Sequence, residues 1–246
     1  MSDRATHIRL IYEKRGRACF VPHVVLSTVF ARAARRAGME LSSTEGFSPH
    51  AKISFGPELP AGVVALAEPV DLWLKETVVS EQWLVDISSE PARNVLCESL
   101  RVSTSKSKDG FSLSTNHCPL ITAFNAQMPE GFRVVKCILP PEGAPALGKE
   151  CKAARYLVWT GNDCPAGELL SYIGRHYEGA FLNGVVEQEK VSAVLANPAQ
   201  NGIGGLVKAL VADGVVAGWH DMCIVRVNLG RWNGKEMEPI EDAKLR

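Results

Sequence analysis

The sequence predicts an α+β protein in which two successive βαββαβ units each form a small antiparallel sheet. Three observations support this prediction. Alternating and helical hydrophobic patterns follow one another in the order β-α-β-β-α-β, and the order begins again after a stretch rich in Pro and Gly. The chain of 246 residues is long enough for two hydrophobic cores. This order is typical of tandem ferredoxin-like domains, predicted at residues 1–140 and 141–246.

The first unit begins with an alternating, β-branched run over residues 6–13, which predicts a strand. A helix is predicted from Pro22 to Gly38, because proline suits a first helical turn and glycine suits the position after the last one. The other predictions are a short strand at 39–44, a long strand at 63–76, an insertion at 78–117, a short helix within 118–131 and a strand at 132–139.

The second unit follows the Pro/Gly-rich stretch at residues 140–150, which we interpret as the domain boundary. Its alternating and helical patterns repeat the order of the first unit. The predictions are a strand at 152–161, a helix at 165–177, two tightly connected strands within 180–196, a helix at 204–214 and a final strand at 222–232.

The composition argues against several classes of protein. The seven cysteines occur singly, without a CxxC pair, which favours reduced thiols in a core over a disulfide framework, a structural zinc site or an iron–sulfur cluster. We therefore predict no metal and no cofactor. No apolar run approaches the roughly 20 residues that cross a bilayer, and the polar start does not resemble a signal peptide. These features predict a cytoplasmic protein without a membrane partner.

Charge is distributed unevenly although the net charge is zero. Residues 1–56 contain nine Lys or Arg and four Asp or Glu, a net charge of +5. Three of these cations, Arg32, Arg35 and Arg36, belong to the predicted helix. A basic end on a neutral protein can hold a polyanion such as RNA. The alternative is a helix whose arginines are simply solvated.

The stretch "EGFSPHAKISFGPELPAG", residues 45–62, constrains its backbone heavily. Proline fixes φ and pushes the preceding residue into extended geometry, while glycine permits positive φ. A loop stiffened in this way loses less entropy when it binds a ligand. The residues expected to shape the loop are Gly46, Phe47, Pro49, Pro57, Pro60 and Gly62.

Within this loop, extended geometry over residues 50–55 places Ile53 and Phe55 on one face and His50, Lys52 and Ser54 on the other. We predict that these three polar side chains form an RNA- or anion-binding site together with Arg32, Arg35 and Arg36. The alternative is an edge strand that proline and lysine protect against aggregation.

Two histidines of this region are candidate catalytic residues. His23 and His50 could act as an acid/base pair, since histidine titrates near neutrality and RNA cleavage through the 2′-hydroxyl needs one acid and one base. With Lys52 or Arg36 stabilising the phosphorane, such a site would be a metal-independent endoribonuclease. The alternative is that His23 caps the helix or packs at the surface.

Residues 20–63, "FVPHVVLSTVFARAARRAGMELSSTEGFSPHAKISFGPELPAGV", resemble the radical-SAM-linked family of unknown function, which occurs as the tail of radical-SAM proteins or as a separate chain. The family's pattern includes an "RRAG"-like helix end and a "GFxPHPKISFxPPLPxG" loop. Departures are Val24 and Val25 in place of a Leu-Asp type pair, Ala51 in place of a proline, and the insertion at 78–117. The matching residues are Phe20, His23, Arg35, Arg36, Gly38, Gly46, Phe47, Pro49, His50, Lys52, Ser54, Phe55, Leu59, Pro60 and Gly62.

This resemblance implies an association with radical-SAM enzymes and with ribosome and RNA-processing genes, but it implies no settled activity. RNA is then the natural polyanion. The leading hypothesis is an accessory protein, without catalysis of its own, that binds RNA or presents it for tRNA or rRNA modification. The alternatives are the endoribonuclease that uses His23 and His50, and an interaction module that docks a radical-SAM protein through the same loop.

Overall fold

The computed structural model is a mixed α/β fold with one large, mostly antiparallel sheet and few helices. Among the residues it describes, no helix combines the length and the apolar character needed to cross a membrane. The described residues are 5–75, 111–114, 119–141, 143–161 and 164–240.

The first half of the chain contains five strands and two α-helices among its described residues. A short 3₁₀ helix, Gly16–Phe20, follows the first strand. The elements are β1 (Ala5–Lys14), α1 (His23–Arg36), β2 (Ile53–Phe55), β3 (Val64–Lys75), β4 (Phe111–Ser114), α2 (Pro119–Asn125) and β5 (Phe132–Leu139).

The second half contains five further strands and three α-helices among its described residues. A 3₁₀ helix, Trp219–Asp221, precedes the longest of these strands. The elements are α3 (Leu147–Glu150), β6 (Ala153–Thr160), α4 (Ala166–His176), β7 (Phe181–Glu187), β8 (Lys190–Ala196), α5 (Gly204–Ala212), β9 (Met222–Trp232) and β10 (Met237–Pro239).

These bounds confirm the predicted elements within the described residues, with few differences. The predicted strand at 39–44 is wrong, because Leu41 bridges only Leu74 while Ser43 bridges Ala51, so the chain changes partner between them. The short strand β10 was not predicted, nor was α3, which lies within the predicted boundary at 140–150. The predicted insertion at 78–117 lies outside the described residues except for β4.

The ten strands form one sheet in the order β4-β5-β1-β3-β9-β6-β8-β7, with β2 added to β3 and β10 added to β9. All neighbours pair antiparallel except β3 and β9, which pair in parallel where Val64 and Ala65 meet Val225 and Arg226. The expected pair of separate sheets is therefore wrong. The two halves share one sheet because β3 is twelve residues long. One end of β3 pairs with β2, and the other end pairs with β9.

Two hydrophobic cores use opposite faces of β1 and β3. Leu10 and Leu72 pack with α1 and α2 in the first core. Ile11 and Ala67 belong to the other core, which α4 and α5 complete. Side chains alternate along a strand, so the second half covers one end of the face that α1 leaves free. The other end of this face stays accessible, and the candidate site lies there.

A buried ion pair joins the two halves where β3 meets β9. Arg226 donates from Nε and Nη2 to the two carboxylate oxygens of Glu68, each at 2.6 Å. It also donates to the backbone oxygens of Pro57 at 2.9 Å and Glu58 at 3.2 Å. Burial alone would lower the pKa of Arg226, but Glu68 and Tyr156 outweigh burial and raise it. The guanidinium therefore fixes both the seam between the halves and the loop after β2.

We expect Glu68→Gln to lower the free energy of unfolding by about 3–5 kcal/mol, because it leaves the Arg226 charge buried without a counter-charge. The matched control is Glu40→Gln, which removes the exposed ion pair with Lys75. This variant should change the free energy of unfolding by less than about 1 kcal/mol. Urea unfolding measures both values through the midpoint, with the slope unchanged. Equal midpoints for the two variants would contradict this role of Glu68.

Candidate functional site

The loop after α1 closes on itself and exposes its tip. Thr44 N donates to His50 O at 2.7 Å, and His50 N donates to Thr44 Oγ1 at 3.1 Å. Gly46 has a φ of +133°, which only glycine adopts readily. Phe47 is fully exposed at the tip, and Pro49 and His50 are exposed beside it. The loop is therefore a closed turn that presents an aromatic ring and an imidazole.

The second part of the loop is held by the rest of the protein. Pro57 contributes its carbonyl to Arg226, and Pro60 accepts a hydrogen bond from Val63 N at 3.3 Å. Gly62 has a φ of +90° and donates to Cys19 O at 2.9 Å. Buried contacts, in addition to the prolines, thus fix residues 57–62.

The predicted alternation is confirmed for residues 52–55, whereas His50 belongs to the closed turn. Ile53 and Phe55 pack on the α1 side, where the Phe55 ring lies 5.4 Å from the Phe30 ring. Lys52 lies on the opposite face, with its Nζ 4.8 Å from the centre of the Trp73 ring. Ser54 also belongs to that opposite face, since it pairs with Asp71 between the core residues Val70 and Leu72. The loop therefore directs Lys52 and Ser54 away from α1.

Lys52, directly before β2, lies beside Trp73 on β3 and His7 on β1, and we call these three residues the aromatic row. Trp73 is the direct partner of His7 in the pairing of β3 with β1. Their rings stack with centres 4.7 Å apart and planes 6° from parallel. The lysine ammonium gains a favourable interaction with the ring quadrupole. The row thus combines a cation with two stacked rings on the accessible end of the sheet face.

A second row, the polar row, consists of Ser54, Asp71 and Arg9 and runs parallel to the first. Asp71 pairs directly with Ser54 on one side and with Arg9 on the other. Arg9 Nε donates to Asp71 Oδ1 at 2.7 Å, and Nη2 donates to Oδ2 at 3.0 Å. His7 Nε2 lies 3.2 Å from the same Oδ2. The two rows are therefore linked through His7 and Asp71.

Arg9 also contacts Glu150, at the end of α3. Glu150 in turn accepts a hydrogen bond from Arg231 Nη2 at 3.0 Å. Burial alone would raise the pKa of Asp71, but the contacts with His7 and Arg9 outweigh burial and hold it below its ordinary value. Asp71 is therefore an ionised carboxylate at neutral pH, fixed within a chain of alternating charges.

Two residues of each row lie at a cleft of about 840 Å³. Its other wall is the connection between the halves, residues 139–141 and 143–146, which includes Pro140, Pro141 and Pro145. Ser54, Asp71, His7 and Trp73 all line the cleft. This combination of apolar walls with a few convergent polar groups is typical of ligand sites.

The predicted grouping of Lys52 with the helix arginines is not formed. Arg32, Arg35 and Arg36 are exposed on α1, which packs on the Ile53 and Phe55 side of the sheet. Lys52 and Ser54 lie on the other side. The physical reason is that α1 needs the apolar face of β2 for its core, and alternation then places the polar residues of β2 opposite the helix.

The structure does not bring the two candidate catalytic histidines together. His23 is half-buried at the start of α1, with its ring 5.6 Å from that of Phe55. Burial lowers the pKa of His23. His50 is exposed on the closed turn. Within the described residues, no hydrogen bond or ring contact joins the two imidazoles.

Sequence reasoning missed His7, Asp71 and Trp73. A signal was present, because His7 and Arg9 alternate with apolar residues in one predicted strand, as do Asp71 and Trp73 in another. Trp73 belongs to the predicted strand at 63–76 and is half-buried at the cleft. In the described ranges, no group of three or more His, Cys, Asp or Glu side chains is placed to hold a metal ion.

Residues 7–116 match a family described as an uncharacterized protein conserved in bacteria, DUF2344. The first half of the chain is similar to this family. The match spans less than half of the chain, and it contains every residue of the aromatic and polar rows. Glu150 and Arg231, which support the polar row, lie outside it. No curated protein matches the chain.

We expect Asp71→Asn to lower the free energy of unfolding by about 3–5 kcal/mol at pH 7, because it removes a buried counter-charge of Arg9. The pKa of Asp71 is below its ordinary value of 3.8 in the folded state. Its stabilisation is therefore complete above about pH 4 and is lost as the pH falls through the lowered pKa. Urea unfolding from pH 7 to pH 2 should show the gap between wild type and variant closing in that acidic range. A gap that does not change with pH would contradict this assignment.

Proposed function

We propose that the protein is an RNA-binding accessory that presents RNA to a radical-SAM enzyme, with the aromatic row as its contact surface. The observation that carries this proposal is the exposed Lys52 ammonium over the Trp73 ring, which is itself stacked on His7. A cation beside aromatic rings matches the two needs of single-stranded RNA, since phosphates need positive charge and unpaired bases need flat partners.

We further propose that each half is a ferredoxin-like domain. Support comes from the strand orders β5-β1-β3-β2 and β9-β6-β8-β7, in which each half repeats the same arrangement of its own strands. Four-stranded sheets with helices on one face can bind single-stranded RNA on the other face through aromatic residues of the central strands. His7 on β1 and Trp73 on β3 occupy the central strands of the first half.

The charge of residues 1–56, a net +5, supports an anionic partner. The link to a radical-SAM enzyme and to a cytoplasmic modification system is supported by the resemblance of residues 20–63 to the radical-SAM-linked family. The chain's role in that proposal is to bind and orient RNA, and the reaction itself belongs to the partner enzyme.

We expect labelled single-stranded fragments of tRNA and rRNA to bind with an affinity that falls steeply with salt. Lys52→Ala should reduce the slope of log K against log salt by about 0.7, because one phosphate contact is lost. The matched control is Lys190→Ala, since Lys190 Nζ lies 4.9 Å from the Trp159 ring but belongs to the second half. Fluorescence anisotropy at several salt concentrations measures both slopes.

The same titration tests the helix arginines. Arg36 lies on the α1 side of the sheet, opposite the aromatic row, so Arg36→Ala should leave the slope unchanged and the double variant should match Lys52→Ala alone. Salt-independent binding, or equal slopes for Lys52→Ala and Lys190→Ala, would contradict the proposal that the aromatic row contacts RNA.

The bound RNA, run on a denaturing gel between pH 6 and 8, tests the endoribonuclease alternative, which requires cleavage that depends on His23 and His50.

Phe47 favours a second candidate function, an interaction module that docks the radical-SAM protein. Phe47 is a fully exposed phenylalanine at the tip of a closed turn, where it offers an apolar ring to a partner. Phe47→Ser should abolish co-purification of an iron–sulfur, SAM-binding protein, whereas Val24→Ser, at another highly exposed apolar residue, should retain it. Equal recovery with both variants counts against docking through this turn.

A further inference from the structure

Strand β7 lies at one end of the sheet, and among the described residues only β8 pairs with it. The turn between β7 and β8 has two residues, both with positive φ. The pair beside such a turn, Glu187 with Lys190, is hydrogen-bonded, and bonded and non-bonded pairs then alternate along the strands. The N–H and C=O groups of Gly184 and Val186 therefore point to the outer edge, away from β8.

This outer edge is open and apolar. β7 contains neither lysine nor proline, the residues that commonly protect an exposed edge from pairing. Val185 and Val186 are 48% and 40% exposed, and they lie on opposite faces of the sheet because side chains alternate along a strand. A Cβ at Gly184 would lie 2.6 Å from Leu170 Cδ1 and from Phe181 Cζ, so only glycine fits there. The edge therefore presents bare backbone next to apolar side chains.

We propose that β7 is an interface at which a second copy of the chain adds its own β7 in antiparallel pairing, forming a dimer with two-fold symmetry. In the register centred on Val185, Gly184 pairs with Val186 of the second copy in both directions, so the outward backbone groups of both residues are bonded. The two neighbouring registers would instead pair Leu182, at the bulge, or Gln188, in the turn.

The same register makes the side chains self-complementary, which favours a second copy over a strand of another protein. Val185 meets Val185 of the second copy in a non-hydrogen-bonded pair, where opposite side chains are closest. Asn183 lies opposite Glu187 of the second copy, so its amide can donate to that carboxylate, and the two-fold axis repeats the contact. On the side that α4 covers, Val186 packs over Gly184 of the second copy.

Sedimentation velocity of the full chain at several concentrations tests the dimer. We expect a species of twice 26.7 kDa with a Kd of roughly 1 µM to 1 mM, because the contact is small. Val186→Pro removes an outward N–H but no bond to β8, so it should be monomeric. Val185→Lys places two like charges opposite each other and should weaken the dimer about tenfold or more. The matched control is Val211→Lys, at an exposed valine of α5, which should retain the dimer.

Cross-linking tests the register. Val185→Cys should form a disulfide with its copy when copper phenanthroline and oxygen oxidise the two thiols, because the two β-carbons lie opposite each other. Val186→Cys is the matched control, since it faces Gly184 of the second copy and is too far from its own copy to bridge. Wild type, which has an exposed thiol at Cys223, gives the background on a non-reducing gel.

A monomer at every concentration up to about 1 mM overturns the interface and would leave this edge to a strand of another protein. A dimer that survives Val185→Lys unchanged, or that cross-links equally through both cysteine variants, lies elsewhere and also overturns it. Circular dichroism shows whether Val186→Pro folds, and Val185→Lys with the two cysteine variants decides the question if it does not. None of these residues belongs to the aromatic row, so the proposed RNA-binding function is decided separately.

Discussion

The buried guanidinium of Arg9 is the group on which the candidate site depends. Its charge can remain in the interior only with negative partners around it, and Asp71 and Glu150 supply them. Asp71 belongs to the neighbouring strand, whereas Glu150 is 141 residues away at the end of α3, which follows the connection that lines the cleft. One side chain thus orients the floor of the cleft and ties its wall to the sheet, and His7 is positioned through Asp71.

The cleft also exists because the second half covers only part of one sheet face of the first half. Ile11 and Ala67 lie under the second half, but His7 and Trp73 lie farther along the same strand face, beyond that cover. On the opposite face, α1 and α2 complete the first core. The first half therefore has one face that is closed by its own helices and one face that the second half closes only in part. Pro140, Pro141 and Pro145 of the connection line this gap, and each proline fixes its own φ.

Much of the fold could be predicted from the sequence because its signals are local. Alternation in residues 50–55 was enough to separate Ile53 and Phe55 from Lys52 and Ser54. It could not show which face α1 would cover, so Lys52 was grouped with arginines that lie on the other side. The aromatic row needs the register of β1 on β3, and the contact of Arg9 with Glu150 needs the packing of two halves. Both are set by residues far apart in sequence, which no local pattern reports.

A comparison within the chain shows why a lysine over a tryptophan is not sufficient for a site. Lys190 lies over Trp159 in the second half much as Lys52 lies over Trp73. Trp159, however, pairs with Cys223 on β9, whereas Trp73 pairs with a histidine that contacts an ionised carboxylate. Of the two tryptophans, Trp73 lines the cleft, together with Asp71 and Ser54. The neighbouring Asp71 and Ser54 therefore distinguish the Lys52–Trp73 pair from the Lys190–Trp159 pair.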